Sequence, residues 1–242
     1  DLRANFTYNR NKYVYYDEPN YEAVWKKKTG QPLSISWGYI SEGYFKNQEE
    51  IDNGPDQSGL GSQVKPGDIK YRDVNGDGKI NDDDKVMLSS FGSMPRIQYG
   101  LGLNLTYKKL DFGVFFNGSA QRKIMINNTM TEFGERNNNV MQWIADDHWS
   151  IDNPNPDAAF PRLGLSNTDI KNNKEASSHW LRNGNFIRFK TLEVGYSFPH
   201  CRVYFSGDNL AVWSPFKLWD PELSWNAYPL QRTFNFGVQL NF

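Results

Sequence analysis

Cysteine is almost missing from this chain. Cys201 is the only one in 242 residues, which excludes an internal disulfide framework and any metal centre built on thiolates. Long apolar runs are missing as well: no stretch approaches the roughly 20 consecutive apolar residues of a membrane-spanning helix, so a helical membrane protein is excluded. Blocks of positive charge are absent. The longest basic run is Lys26-Lys27-Lys28 in a chain of formal net charge −1, and a nucleic acid would find no electrostatic footprint there. Aliphatic residues are sparse while Phe, Tyr and Trp reach 15%, a proportion of aromatics that does more than fill one interior. No secretory leader precedes Asp1-Leu2-Arg3-Ala4-Asn5-Phe6, and such a start reads as a piece of a longer protein.

What is present is alternation. In the last ten residues, TFNFGVQLNF, the even positions are apolar (Phe234, Phe236, Val238, Leu240, Phe242) and the odd ones small or polar (Thr233, Asn235, Gly237, Gln239, Asn241). Residues 97–107 repeat the pattern, with Ile97, Tyr99, Leu101, Leu103, Leu105 and Tyr107 opposite Gln98, Gly100, Gly102, Asn104 and Thr106. Leu110, Phe112, Val114 and Phe116 resume it after only Lys108-Lys109, a spacing that fits an antiparallel hairpin. Leu2, Ala4, Phe6 and Tyr8 form another face, and Ile35, Trp37 and Tyr39 begin one more. Between 186 and 198 the phase changes from Ile187 and Phe189 to Leu192, Val194, Tyr196 and Phe198; a β-bulge near Lys190-Thr191 reconciles the two halves. A further strand follows the Pro199-His200 turn and carries Val203 and Phe205.

Two long intervals, 44–96 and 121–184, separate these strands and are rich in Asn, Asp, Gly, Pro and Ser. Long loops in a structured protein are usually functional. Outer-membrane barrels have short turns on the periplasmic side and long loops outside, so the tight connections at 107–110 and 198–202 belong on one side and the intervals on the other. One consequence is awkward: residues 17–32 become an unusually long connection on the short-turn side. Alternation by itself also describes a soluble β-sandwich. Polar faces of Asn, Gln, Thr and Gly rather than Lys and Glu, with aromatics at strand ends, favour a barrel.

The segments GYISEGYFKNQEEI (39–51), PGDIKYRDVNGDGKINDDD (66–84), HWSIDNPNPDAAFPRLG (148–164), HWLRNGNFIRFKTLEVGYSFP (179–199), VYFSGDNL (203–210) and DPELSWNAYP (220–229) resemble, in order, the C-terminal barrel portion of SusC/RagA-family TonB-dependent transporters. The resemblance implies an all-β fold, in which residues 1–242 supply about seven C-terminal strands of a large, roughly 22-stranded antiparallel transmembrane β-barrel. The plug and the N-terminal strands are absent from this sequence. It further implies import of oligosaccharides or peptides across the outer membrane of a Gram-negative bacterium, powered by TonB. A SusD-like surface lipoprotein, outer-membrane lipid and the remaining N-terminal part of the same transporter are the implied partners. No enzyme activity is expected, for no pair of carboxylates or nucleophile–base arrangement stands out. The rival reading is a calcium-stabilised β-sandwich that binds carbohydrate.

One stretch has explicit chemistry. DVNGDGKINDDD, carried in an expected loop over 66–88, fits a twelve-residue calcium loop with Asp73, Asn75, Asp77, the Lys79 carbonyl, Asn81 and Asp84 at positions 1, 3, 5, 7, 9 and 12. Calcium takes six to eight hard oxygens in such a loop, around a glycine at position 6, here Gly78, with Ile80 able to anchor the turn. Asp84 replaces the usual bidentate Glu and shortens the reach by one methylene. The ion's expected role is structural. Turn formation alone also accounts for Asn-Gly and Asp-Gly pairs. Trp143, Trp149 and Trp180 are candidate sugar-stacking residues, and Trp219 and Trp225 have the same chemistry; packing the loops together is the alternative for each. Asp146, Asp147 and His148 read as a solvated turn, and His179 and His200 as loop and turn residues.

Overall fold

The computed structural model describes residues 1–127, 139–166, 168–223 and 227–240. Trp225, Asn241 and Phe242 lie outside the described residues. The strands are β1 (Leu2–Tyr8), β2 (Ser36–Gly38), β3 (Ser41–Tyr44), β4 (Ile69–Tyr71), β5 (Val86–Ser89), β6 (Ile97–Tyr107), β7 (Leu110–Ala120), β8 (Lys123–Met125), β9 (Leu181–Asn183), β10 (Phe186–Ser197), β11 (Cys201–Trp213) and β12 (Thr233–Leu240). Among the described residues, two short helices, α1 (Gln48–Asp52) and α2 (Gln142–Asp146), and several 3-10 turns accompany the strands. The chain forms two compact units, residues 1–11, 91–123 and 182–242 in the first and 12–90 with 124–181 in the second.

The first unit is built on a six-stranded sheet in the order β1-β6-β7-β10-β11-β12, antiparallel throughout. Register follows the alternation, because a one-residue slip would send every apolar side chain to the other face. Leu2 lies opposite Leu103, Leu103 opposite Val114, Val114 opposite Leu192 and Val203 opposite Val238. The expected bulge is there: the ladder shifts between Phe189 and Thr191, which moves the apolar set from odd to even positions and keeps one face apolar across the sheet. That face is open. Phe6 is 69% exposed, Leu105 51% and Phe236 84%.

Tyr107 pairs with Leu110 across a two-residue turn in which Lys108 takes φ 55, and Ser197 pairs with Arg202 across the next turn. The turns at 108–109 and 198–200 sit at one end of the sheet, and the connections 9–96, 121–185 and 214–232 leave from the other. Both edges are open among the described residues: β1 pairs only with β6, and β12 only with β11. The sheet is therefore an open array and not a closed barrel. A sandwich needs a second sheet over the apolar face, and the described residues of this unit supply no second extended sheet.

The seventh strand is corrected. Ile35, Trp37 and Tyr39 do not begin a sheet-spanning strand; residues 36–38 form the three-residue β2, which pairs with β5 in the second unit. Gly38 lies against the Ala176 carbonyl, where a Cβ would come within 2.2 Å, and Tyr39 is fully buried beside Ser177. The end of the run is thus enclosed at Gly38 and Tyr39 while Ile35 and Trp37 are half-buried, and its alternation reflects local packing. With that strand removed, 9–96 is one excursion between the neighbouring strands β1 and β6, and residues 17–32 need no connection at the short-turn end.

The second unit shows that the long intervals are more than loops. Tyr39, Phe45, Ile69, Tyr71, Ile80, Ile126, Ile144, Phe160, Ile170 and Trp180 are all buried within it. Its ladders are short, so side-chain amides satisfy the enclosed backbone. Gln57 Nε2 donates to the Ile69 carbonyl at 3.1 Å, and its Oε1 accepts from the Tyr71 N–H at 2.7 Å. Asn173 Oδ1 accepts from the Ile69 N–H at 2.8 Å, and the Asn173 carbonyl accepts from the Trp180 indole at 2.7 Å.

Candidate functional site

The polar face of the six-stranded sheet carries the chemistry of the first unit. Alternate positions of β6 and β7 place Gln98, Gly100, Gly102, Asn104 and Thr106 beside Asp111, Gly113, Phe115, Asn117 and Ser119. A hollow of about 650 Å³ runs across this face, lined among others by Arg3, Asn104, Asp111, Phe115, Glu193 and Ser206. A sheet with an exposed apolar side and a polar side that carries a hollow has the two surfaces of a barrel wall, because lipid-facing and lumen-facing residues alternate along such strands.

Two ionic clusters sit on this polar face. Near the tight turns, Arg202 of β11 bridges Asp111 of β7, with Nε 3.1 Å from Oδ2, and Glu193 of β10 at 2.6 Å. Toward the other end, the Arg188 side chain of β10 is 1% exposed and meets Asp220 at 2.6 Å and Glu222 at 2.9 Å; it also donates to Asn209 Oδ1. Arg122 donates to the Pro221 carbonyl and, through Nε, to the Ser93 carbonyl at 2.9 Å. Together Arg188 and Arg122 hold residues 220–222 of the β11–β12 connection against the sheet. A planar guanidinium suits this task, since its fixed fork of donors matches two acceptors at once.

This chain is similar to TonB-dependent receptor P26 of Formosa agariphila, at 31% identity over 238 residues, 88% of this chain and 23% of that protein. It is also similar to TonB-dependent receptor P3 of the same organism, at 25% identity over 242 residues, 89% of this chain and 23% of that protein. Among solved structures, the RagAB peptide transporter superposes over all of this chain and 26% of its own, with a TM-score of 0.66 at 22% identity. The chain matches a portion of a SusC/RagA-like TonB-dependent transporter. The RagAB peptide importer in its "open-open" state has the same fold, with a TM-score of 0.62 at 21% identity, again over 100% of this chain and 26% of that one. No protein-family model matches. The chain spans about a quarter of the length of these relatives, which agrees with a transporter-type sheet left open at β1 and β12.

In this transporter portion the tryptophans proposed to stack on sugars fall in the second unit. Trp180 is fully buried, its ring 4.6 Å from His179 and 6.2 Å from Phe160 by centroids, so sugar stacking by Trp180 is corrected to a core role. Trp149 is 5% exposed. Gly67, at φ +87, packs so tightly on it that a Cβ would come within 2.0 Å of the indole; Trp149 too is a core residue. Trp143, on α2, is half-buried and lies against Phe160 at 5.4 Å. Packing of the loops, the alternative reading, describes the buried Trp149 and Trp180, while Trp143 stays a candidate.

The 73–84 loop is a closed turn. Gly76 and Gly78 take φ +77 and +80, and Ile80 is buried as its anchor. Asp73 accepts from the Gly76 and Gly78 amides at 2.7 and 2.8 Å. Asp77 Oδ1 accepts from the Lys79 amide at 2.8 Å, while the Asn75 amide donates to Oδ2 at 3.0 Å. These two partners, Asn75 first, hold the Asp77 carboxyl below its ordinary range. Asp84 is fully buried and accepts from the Val74 and Asn81 amides at 2.7 and 2.8 Å, and Asn81 caps the short 3-10 turn that follows. The donor set is all oxygen, as calcium prefers. Among the described residues no group of three or more His, Cys, Asp or Glu side chains is gathered as a metal cluster.

Asp146, Asp147 and His148 also serve the fold: His148 Nδ1 lies 2.7 Å from the Ala145 carbonyl, and Asp147 accepts from the Ala159 amide at 3.2 Å. The ionic clusters on the polar face escaped the sequence reading. A signal existed in Phe186-Ile187-Arg188-Phe189, where a lone Arg at a polar alternate of an apolar strand demands a carboxylate partner.

Proposed function

We propose that the full-length protein imports a nutrient oligomer, an oligosaccharide or a peptide, across the outer membrane of a Gram-negative bacterium, and that residues 1–242 form one part of its barrel wall. The observation that carries this reading is a single sheet with an exposed apolar face, a polar face that carries a hollow and, among the described residues, two unpaired edges. In hydrocarbon each unsatisfied backbone group costs several kcal/mol, so β1 and β12 require strands from the N-terminal part of the same transporter. TonB supplies the energy through that missing part. A SusD-like lipoprotein is the proposed outer partner, and the compact second unit, made from the long intervals, is the surface offered to it. The protein works as a transporter and not as an enzyme.

The test is genetic and biochemical. Deleting the gene should abolish growth on one member of a panel of oligosaccharides and peptides, and the intact gene should restore it only in cells with functional TonB. The same protein, purified from outer membranes, should bring a surface lipoprotein with it. Growth unaffected on every member of the panel, or rescue without TonB, would remove the import reading.

We also propose a structural calcium ion held by Asp73, Asn75, Asp77, the Lys79 carbonyl, Asn81 and Asp84. The oxygen-only donor set, the two left-handed glycines and the buried Ile80 anchor support it. Titration calorimetry of the chelator-treated transporter should show calcium uptake that Asp77→Ala removes, with the strands intact; no uptake by the wild type would end this proposal.

A further inference from the structure

Cross-strand register gathers one row of the apolar face at the tight-turn end of the sheet. Tyr107 lies opposite Leu110, Leu110 opposite Tyr196 and Tyr196 opposite Val203, and all four are exposed. Phe198, exposed as well, meets Tyr196 edge-on at 4.9 Å between ring centroids. From Tyr107 to Ile97, which lies opposite Tyr8 at the far end, β6 runs for 11 residues, about 33 Å at the rise of a strand. Tilted by the roughly 35–45° of barrel strands, that length stands about 25 Å tall, the height of the apolar band between two aromatic girdles. The row therefore marks one boundary of the band, and the turn beyond Tyr107 lies at the level of lipid headgroups.

That turn is Lys108-Lys109. Lys108 is the first central residue of a two-residue hairpin and takes φ 55, where glycine or asparagine is the usual choice. A lysine at that position serves something other than the turn. Its ammonium lies 5.3 Å from the centroid of the Tyr107 ring, which puts the charge on the apolar side of the rim. Neither lysine meets a carboxylate among the described residues. The acids at this end are engaged elsewhere: Asp111 and Glu193 by Arg202 on the polar face, and Asp1 by Arg3. The Ser197 N–H donates to the Lys109 carbonyl at 2.8 Å, which sets the strand end that carries Tyr196 and Phe198 beside the two lysines.

Resting on the import reading, which puts this sheet in the outer membrane with its tight turns toward the periplasm, we propose that the 107–109 turn binds the phosphate of an anionic phospholipid in the periplasmic leaflet. The Lys108 ammonium pairs with the phosphate, Lys109 adds a second positive charge, and the Tyr107 hydroxyl donates to a phosphate oxygen. Leu110, Tyr196 and Phe198 pack against the acyl chains. Charge complementarity selects this occupant: two cations beside an exposed apolar row match a ligand with an anionic head and an apolar tail, and basic residues at a membrane surface draw anionic lipids in the same way. A free phosphate would use the charges and leave the row unused.

Native mass spectrometry of the detergent-purified full-length transporter tests this, with phosphatidylglycerol and phosphatidylethanolamine of matched acyl chains as probes. The wild type should retain phosphatidylglycerol in preference to phosphatidylethanolamine. Lys108→Gly, which suits the turn, should lower phosphatidylglycerol retention about fivefold, the equivalent of about 1 kcal/mol for one basic residue at an anionic surface. Adding Lys109→Gly should remove the preference, while Lys217→Gln, in the β11–β12 connection at the other end of the sheet, should change neither lipid. Assembly of each variant is checked by the heat-modifiable migration of a folded barrel. Equal retention of the two lipids by the wild type, wild-type retention by Lys108→Gly, or displacement of phosphatidylglycerol by inorganic phosphate overturns the headgroup assignment. If the protein assembles and supports growth on its nutrient yet shows no lipid preference, only this assignment falls. If the wild type does not assemble as an outer-membrane barrel, the import reading falls with it.

Discussion

Replacing Arg188 by Met should release residues 220–222 from the sheet. The Arg188 side chain is 1% exposed, Asp220 9% and Glu222 32%, so the two carboxylates are affected unequally. Asp220 is left as a nearly buried charge, and removing one partner of a buried pair costs about 3–5 kcal/mol. Glu222 is half-buried, but the Oε2 that faces Arg188 is enclosed, so it adds a smaller penalty than Asp220 and more than an exposed pair would. Most of the penalty therefore belongs to Asp220. Arg188→Met with Asp220→Asn removes both charges of that pair and should recover much of the loss, whereas Arg188→Met with Glu222→Gln should recover less. Hydrogen exchange of the 214–223 amides in the full-length transporter reads the release, and guanidinium unfolding reads the energy. Unchanged exchange in Arg188→Met, or equal rescue by the two second substitutions, would refute the reasoning.

Two other expectations concern the second unit. Gly67→Ala places a methyl against the Trp149 indole at a left-handed backbone position and should destabilise the unit by at least the ~1–3 kcal/mol of overpacking, read as a lower denaturation midpoint by tryptophan emission. Asp169 is held below its ordinary carboxylate range by Lys65, 2.7 Å away, and by Arg162 at 3.0 Å. A depressed folded pKa gives stability that is present above the unfolded value of about 4 and lost as pH falls through the folded one. Asp169→Asn should thus cost about 1 kcal/mol at neutral pH, with the gap from wild type closing below pH 4. Asp68 runs the other way, because burial pushes its carboxyl up against the pull of Arg162, so Asp68→Asn should not reproduce that acid-limb behaviour.

The sheet was legible because side-chain period and register are one constraint: an apolar face cannot persist across six strands unless Leu2, Leu103, Val114 and Leu192 line up. Even the bulge at Phe189–Thr191 was readable, since it alone reconciles the two phases of β10. The second unit was not legible. Its core draws Tyr39, Ile69, Ile144 and Trp180 from segments up to 141 residues apart, and its enclosed backbone is satisfied by Gln57, Asn172 and Asn173 rather than by ladders that leave a period. β2 misled because three alternating residues fit a strand of any kind. The polar-face clusters depend on partners such as Arg188 and Asp220, 32 residues apart, which no local pattern joins. Trp180 looked like a sugar platform because chemistry alone does not report burial.

The central claim is that the apolar face of the sheet meets lipid and the polar face meets the barrel interior. Leu103 and Asn104 are neighbours on β6 that point to opposite faces, so the same substitution at each isolates the face from the position. The measurement is the amount of heat-modifiable, folded barrel in outer membranes of cells expressing the full-length transporter with Leu103→Arg or Asn104→Arg. An arginine on the lipid face near the midplane costs about 2–4 kcal/mol, whereas one facing the interior does not carry that penalty. Leu103→Arg should therefore fail to assemble while Asn104→Arg assembles near the wild-type level; equal assembly of the two variants would contradict the account.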